Sequence, residues 1–228
     1  PMILSIHVAK AAGNSFRECL EATFGSRLMK DYGDWAGFDH PEAHRRRLAR
    51  TAAMRDRRDE LIENYDIIHG HFVADKYAGM FARPSLVAFF RDPYQQSVAH
   101  YHFLKRNPQR DHLEERIFHE AQMTLHDYLR WDAFYNHQSQ YLGNVPVEDF
   151  TMVGLSSEFE RSIELFKSIY DYDLGSARYA NINHERAHAD YPIDAETKKA
   201  VDKYRAADIE LYRRATEIFS RLTAKYAA

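Results

Sequence analysis

Residues 3–24 constrain this chain more than any other stretch. Ile3 to Val8 is a short apolar run rich in β-branched residues, with the length of a buried strand. Ala9 to Ser15 then turns on small residues, Lys10 excepted, and Phe16, Cys19, Leu20 and Phe24 follow at helical spacing. Strand, small-residue loop and helix in that order aim backbone N–H groups and a helix N-terminus at one spot, which suits a phosphate. Lys10 adds a point charge and Ser15 a hydroxyl. The Walker order G-x-x-x-x-G-K-[ST] is absent, because here the lysine precedes the glycine. On these residues alone, a β–α turn with a solvated lysine is the competing reading.

Further along, strand-like and helix-like stretches alternate. Ser26–Tyr32 is a candidate short strand, and 41–64 is charged and helical in pattern. Tyr65–His69 and Ser85–Arg91 read as strands, and Asp92-Pro93 as an N-cap and first residue of a helix reaching Arg106. His112–Trp131 is helical with a split near Thr124, and Asn136–Leu142 is a short helical piece. Phe150–Leu155 is another strand. A helix from Ser156 buries Phe159, Ile163, Phe166 and Ile169, residues 179–191 are polar and irregular, and 195–226 is a long helix with a break near Ala207. The alternation predicts an α/β, three-layer αβα architecture with a central parallel sheet, and the first loop is read as a P-loop-like phosphate-binding loop.

With 228 residues the chain is long enough for one sizeable core, and residues 1–228 are read as a single domain. A net charge of -3 gives no global basic field, so no nucleic-acid partner is expected. The arginines at 45, 46, 47, 50, 55, 57 and 58 are read as a solvated helix face, with a basic rim for an acidic acceptor as the alternative. Cys19 is the single cysteine, which suits a reducing compartment, so a soluble, cytoplasmic protein is expected. No apolar run approaches the roughly eighteen residues of a membrane span.

In an open parallel sheet, ligands bind beyond the carboxyl ends of the strands. Three strand ends here are polar: the Lys10 loop, His69-Gly70-His71, and Arg91-Asp92-Pro93. A lysine, a histidine pair and an arginine would meet at one edge. His69-x-His71 and His100-x-His102 together raise a four-histidine metal site. Residues two apart on a helix point to different sides, so no metal is expected, and His100 and His102 are read as helix-surface or acceptor-cleft residues.

These motifs resemble the sulfotransferases that use 3′-phosphoadenosine 5′-phosphosulfate (PAPS), in the carbohydrate branch that includes the heparan-sulfate 2-O-sulfotransferase type and bacterial relatives. His7-Val-Ala-Lys-Ala-Ala-Gly-Asn-Ser-Phe16 is similar to that branch's H-I-P-K-T-G-G-T-S-F. Phe89-Phe-Arg-Asp-Pro-Tyr-Gln-Gln-Ser-Val-Ala-His-Tyr-His-Phe103 is similar to F-x-R-D-P-x-x-R-x-x-S-x-Y-x-F, and Ile68-His-Gly-His-Phe72 to Y-H-G-H-V. Weaker likenesses lie at 136–143, 153–159 and 208–212. The resemblance implies that Lys10, Ala11, Ala12, Gly13, Asn14, Ser15 and Phe16 hold the 5′-phosphosulfate, with Lys10 on the phosphate and bridging oxygen. It implies Arg91 on the 3′-phosphate, His71 as the catalytic base with His69 supporting or replacing it, and the 181–186 loop, with Arg186, closing over the nucleotide. The acceptor would be a hydroxyl, on a carbohydrate.

Ala11 and Asn14 stand where the family has threonines, and Ala99 where a serine would share the 3′-phosphate. Ser97 is the nearby hydroxyl, but it lies about 200° around the helix from Ala99 and reaches the phosphate only if the helix starts differently. Two alternatives accompany the sulfotransferase reading. One is a non-catalytic nucleotide-binding module of the same fold. The other is an ATP-using phosphotransferase, disfavoured by the missing Walker order and the lack of a clear magnesium-ligand aspartate.

Overall fold

The computed structural model describes residues 1–108, 112–174 and 190–226. Five strands form one sheet: β1 (Ile3–Ile6), β2 (Leu28–Tyr32), β3 (Ile67–His71), β4 (Ser85–Phe90) and β5 (Met152–Leu155). Their spatial order is β2-β3-β1-β4-β5, and every pairing is parallel. Successive strand residues face opposite sides, yet all of β1 and β5 and residues 67–70 of β3 are buried. Helices therefore cover both faces, as the αβα reading expects.

The helices are α1 (Gly13–Phe24), α2 (Pro41–Asp56), α3 (Arg58–Asn64), α4 (Pro93–Arg106), α5 (Leu113–Glu120), α6 (Leu125–Leu129), α7 (Phe159–Tyr170), α8 (Ala195–Tyr204) and α9 (Ala206–Tyr226). Asp92 caps α4 as its sequence promised, accepting from the Tyr94 and Gln95 N–H groups at 3.0 Å. Element ends shift elsewhere. The helical stretch 41–64 breaks at Arg57, and 195–226 breaks at Arg205 rather than Ala207. Arg205 is fully buried, and its Nη1 donates to the Leu129 and Tyr204 carbonyls at 3.4 and 3.1 Å. Residues 136–142 hold only a single 3-10 turn, Ser139–Tyr141.

The main core fills the space between the sheet and α1, α7 and α9, with Phe16, Leu20, Phe89 and Phe166 at its centre. A second apolar cluster joins α4, α5, α6 and α8 around Tyr101, Phe118, Tyr128 and Phe134. The two clusters flank the carboxyl edge of the sheet, where the loops after β1, β3 and β4 emerge side by side. Gly70 permits close packing of β2 and β3: a Cβ there would stand 1.8 Å from the Asp31 carbonyl oxygen.

Candidate functional site

β1 ends at Ile6, and the chain then curls through two left-handed residues, Lys10 (φ 62°) and Ala12 (φ 72°), into α1. Both carry a Cβ, so the turn holds two residues in a conformation that ordinarily favours glycine. Ala12 is the N-cap of α1 and offers no side-chain cap. The first-turn N–H groups of Gly13, Asn14 and Ser15 thus have no intrahelical acceptor and carry the positive end of the helix dipole. The loop is held from α4: Gln96 Nε2 donates to the Ala9 carbonyl at 2.9 Å. Lys10 Nζ lies 5.1 Å from the centre of the Phe103 ring. Burial first, then Arg106 and Arg91, lowers the Lys10 pKa.

The neighbouring strand ends stack three imidazoles. His7 lies 4.2 Å from His71 and 5.2 Å from His69, centre to centre. A Cβ on Gly13 would land 1.9 Å from the His7 ring, so the glycine lets α1 start against the stack. His71 Nδ1 donates to the His7 carbonyl at 2.6 Å. A carbonyl only accepts, so in the neutral ring the lone pair sits on Nε2. Burial holds the His71 pKa down to about 4, and the bond to the His7 carbonyl opposes that shift. His69 is placed differently. It is 1% exposed, its Nδ1 shares a hydrogen bond with Ser5 Oγ at 2.8 Å, and its Nε2 is sealed without a partner.

Arg91 follows β4. Its backbone is gripped at both ends by one amide: its N–H donates to Gln138 Oε1 at 3.0 Å, and Gln138 Nε2 donates to its carbonyl at 2.8 Å. Asp208, at the start of α9, accepts from the Gln138 and Ser139 N–H groups at 3.1 and 2.7 Å. The stretches 136–143 and 208–212 therefore meet, and their shared task is to hold Arg91. Gln95 grips the Tyr191 backbone likewise, at 2.8 and 3.1 Å.

All of this surrounds one cavity of about 900 Å³. Of the residues expected there, Lys10, Ala12, Gly13, Asn14, Ser15, His71 and Arg91 line it. Ala11 and Phe16 do not. Both are buried, and Phe16 packs into the core against Phe89 and Phe166. His69 is also outside the wall, so it can support the stack but does not face the cavity. Ser97 is a correction of the same kind. It is fully buried with its Oγ unpartnered, while Ala99 faces the cavity, as the helical rotation requires. Arg186 and the rest of the 181–186 loop lie outside the described residues.

His100 lines the cavity, the second of the two places expected for it. Several wall residues escaped the sequence reading: Arg106, His7, His137 and Tyr141 also line the cavity. Arg106 closes α4 and carried no motif. His137 and Tyr141 sat inside a recognised stretch, but nothing in that stretch showed which side chains turn inward. Among the described residues, Lys10, Arg91 and Arg106 have no carboxylate partner. Of the seven arginines, Arg45 and Arg55 are exposed and Arg57 and Arg58 pair with Glu60 and Asp59, as a solvated helix face expects, whereas Arg46, Arg47 and Arg50 fit neither expectation. Arg46 donates to the Gly33 carbonyl, Arg47 to the Trp35 and Phe38 carbonyls at 3.1 and 3.2 Å, and Arg50 to Asp34 and Asp31 at 2.7 and 2.9 Å. They staple the 33–38 loop, which supplies Trp35 and Phe38 to the cavity.

No protein-family model matches the chain, and no curated protein matches it. Among solved structures, it is similar to mouse sulfotransferase SULT7A1 complexed with PAP, at 12% identity and a TM-score of 0.42. That likeness covers 91% of this chain and 65% of the mouse chain. Among the described residues, no group of three or more His, Cys, Asp or Glu has an arrangement that could hold a metal ion. His100 and His102 turn apart, the first towards Tyr128 and His137 and the second onto Tyr191. No described helix is long and apolar enough to cross a membrane.

Proposed function

We propose that the chain, acting as a single catalytic unit, is a sulfotransferase that moves a sulfuryl group from PAPS to a hydroxyl of a carbohydrate acceptor. One observation carries the reading: among the described residues, Lys10, Arg91 and Arg106 face one cavity without carboxylate partners, beside an uncapped helix N-terminus and a histidine whose Nε2 has no hydrogen-bond partner and can accept a proton. Cations left un-neutralised in a partly dry wall are costly unless an anion completes them. The cavity volume fits a nucleotide-sized ligand with room for part of an acceptor.

PAPS, when bound, supplies the activated sulfuryl group. His71 Nε2 accepts the proton of the acceptor hydroxyl as that oxygen attacks sulfur. The His7 carbonyl holds the His71 ring in the tautomer this requires. Lys10 and the N–H groups of Gly13, Asn14 and Ser15 neutralise the charge that grows on the leaving phosphate. Arg91 binds the 3′-phosphate, its backbone fixed by Gln138 so that the guanidinium is held at the strand end. Trp35, Phe38 and Phe134 line the same cavity and offer flat surfaces to a sugar ring.

Calorimetry with 3′-phosphoadenosine 5′-phosphate (PAP), ATP and AMP tests the donor side. PAP should bind at least tenfold more tightly than AMP, and equal affinities would defeat the proposal. A second reading has its own support. Ala99 in the wall and Ser97 turned away remove a hydroxyl from the arginine's neighbourhood, which fits a nucleotide-binding module without transfer activity. Tight PAP binding with no labelled sulfate reaching a panel of glycans would favour that module.

A further inference from the structure

Beside the phosphate loop, the cavity wall carries a second histidine whose proton is fixed as firmly as that of His71, in the opposite sense. Gln96 is fully buried. Its amide nitrogen faces the Ala9 carbonyl at 2.9 Å. A carbonyl cannot donate, so this contact settles which end of the amide is NH2. The second N–H of that nitrogen meets His137 Nδ1 at 3.1 Å. His137 Nδ1 must therefore hold a lone pair. Burial, with His100 next in effect, puts the His137 pKa well below the ordinary value, so the ring is neutral and its one proton sits on Nε2.

That Nε2–H has no hydrogen-bond partner among the described residues, and unlike His69 Nε2 it is not sealed off. The ring forms part of the cavity wall. The chain leaves room for its Nε2 edge by placing Gly37 opposite, where a Cβ would stand 2.7 Å from Nε2. Tyr141 neighbours both histidines, its ring centre 6.0 Å from that of His71 and 5.8 Å from that of His137. The site thus offers a lone pair at His71 and a proton at His137.

We infer that His137 is a specificity-determining donor: through Nε2–H it binds an oxygen of the acceptor adjacent to the hydroxyl that His71 deprotonates, so the site takes polyols rather than isolated alcohols. The acceptor part of this inference rests on the sulfotransferase reading, whereas the proton assignment does not. A lone alcohol occupying the cavity would satisfy His71 and leave the His137 N–H without water or partner, a loss that selects against it.

Long-range 1H–15N spectra of the full chain with labelled histidine test this directly. His137 should show the Nε2–H tautomer and His71 the Nδ1–H tautomer at pH 7. In Gln96→Glu, which removes the amide donor, the His137 proton should move to Nδ1. A wild-type His137 protonated on Nδ1, or on both nitrogens, overturns the inference whatever the fate of the variant. PAP is then added, followed by methyl glucoside or cyclohexanol at equal concentration. A shift at His137 Nε2 with the glucoside, at least threefold larger than with cyclohexanol, is expected. Equal shifts, or none, overturn the acceptor assignment. If PAP itself perturbs nothing near Lys10 and Arg91, the sulfotransferase reading falls, and the tautomers in the free protein still decide the proton assignment.

Discussion

Two sets of basic side chains lie within one fold and behave in opposite ways. On α2, Arg46, Arg47 and Arg50 are spent on carbonyls and carboxylates, and Lys76 joins them by bridging Asp31 and Asp34 at 2.5 and 2.7 Å while only 4% exposed. Around the cavity, Lys10, Arg91 and Arg106 have no carboxylate partner among the described residues, and the pKa values of Lys10 and Arg91 are lowered, chiefly by burial. The α2 set is the denser in sequence and looks the more like a binding surface. It is a scaffold, and the sparse set is the candidate site. Density of charge along a chain says little about function, because what matters is whether each charge is already matched.

The largest test of this contrast is Lys10→Ala. It removes charge where the leaving phosphate would develop it, and should lower transfer by about 100- to 1000-fold in single-turnover sulfate transfer. A loss below threefold would put Lys10 among the scaffold cations. Next comes pH. The pH response of transfer belongs to His71, the proposed base. Its pKa is depressed to about 4, so the base remains neutral as pH falls from 7 to 5. kcat/KM should stay within about twofold over that range, where an ordinary histidine would cost about 30-fold at pH 5. An acid limb centred near pH 6.5 would remove His71 as the base or the burial that shifts it.

Arg91→Ala should weaken PAP binding by about 10- to 100-fold in calorimetry, the range for a charge-assisted contact. Arg50→Ala should do the reverse. It leaves Asp34 to Lys76, and Asp31 to Lys76 and the Tyr77 hydroxyl, and should cost about 1–3 kcal/mol in urea unfolding, reduced because water reaches the third of Arg50 that is exposed, with PAP affinity changed less than twofold. If Arg50→Ala weakened PAP as much as Arg91→Ala, the division into scaffold and site would collapse. The smallest effect is expected from Ala99→Ser. Residue 99 faces the cavity, and a hydroxyl there should tighten PAP by about two- to fivefold. Ser97→Ala should leave affinity unchanged, because its Oγ is sealed away from the cavity.

Much of the fold was legible in the chain. Alternating strand and helix periods, the Asp92-Pro93 start of α4 and polar strand ends at residues 10, 71 and 91 are local properties, and local properties can be read from neighbours in sequence. They were enough to expect a parallel αβα sheet with a ligand edge, and to bring Lys10, His71 and Arg91 to it. What the chain alone did not decide depends on partners far apart in sequence. Gln138 grips Arg91 across 47 positions, and Gln96 reaches His137 across 41. Whether Ser97 or Ala99 meets the cavity depends on how α4 is rotated against the sheet. Whether an arginine is a ligand group or a staple depends on which carbonyl or carboxylate the folded chain sets beside it. Hydrogen bonds and ion pairs are short-ranged, so their partners exist only once tertiary packing has chosen the neighbours.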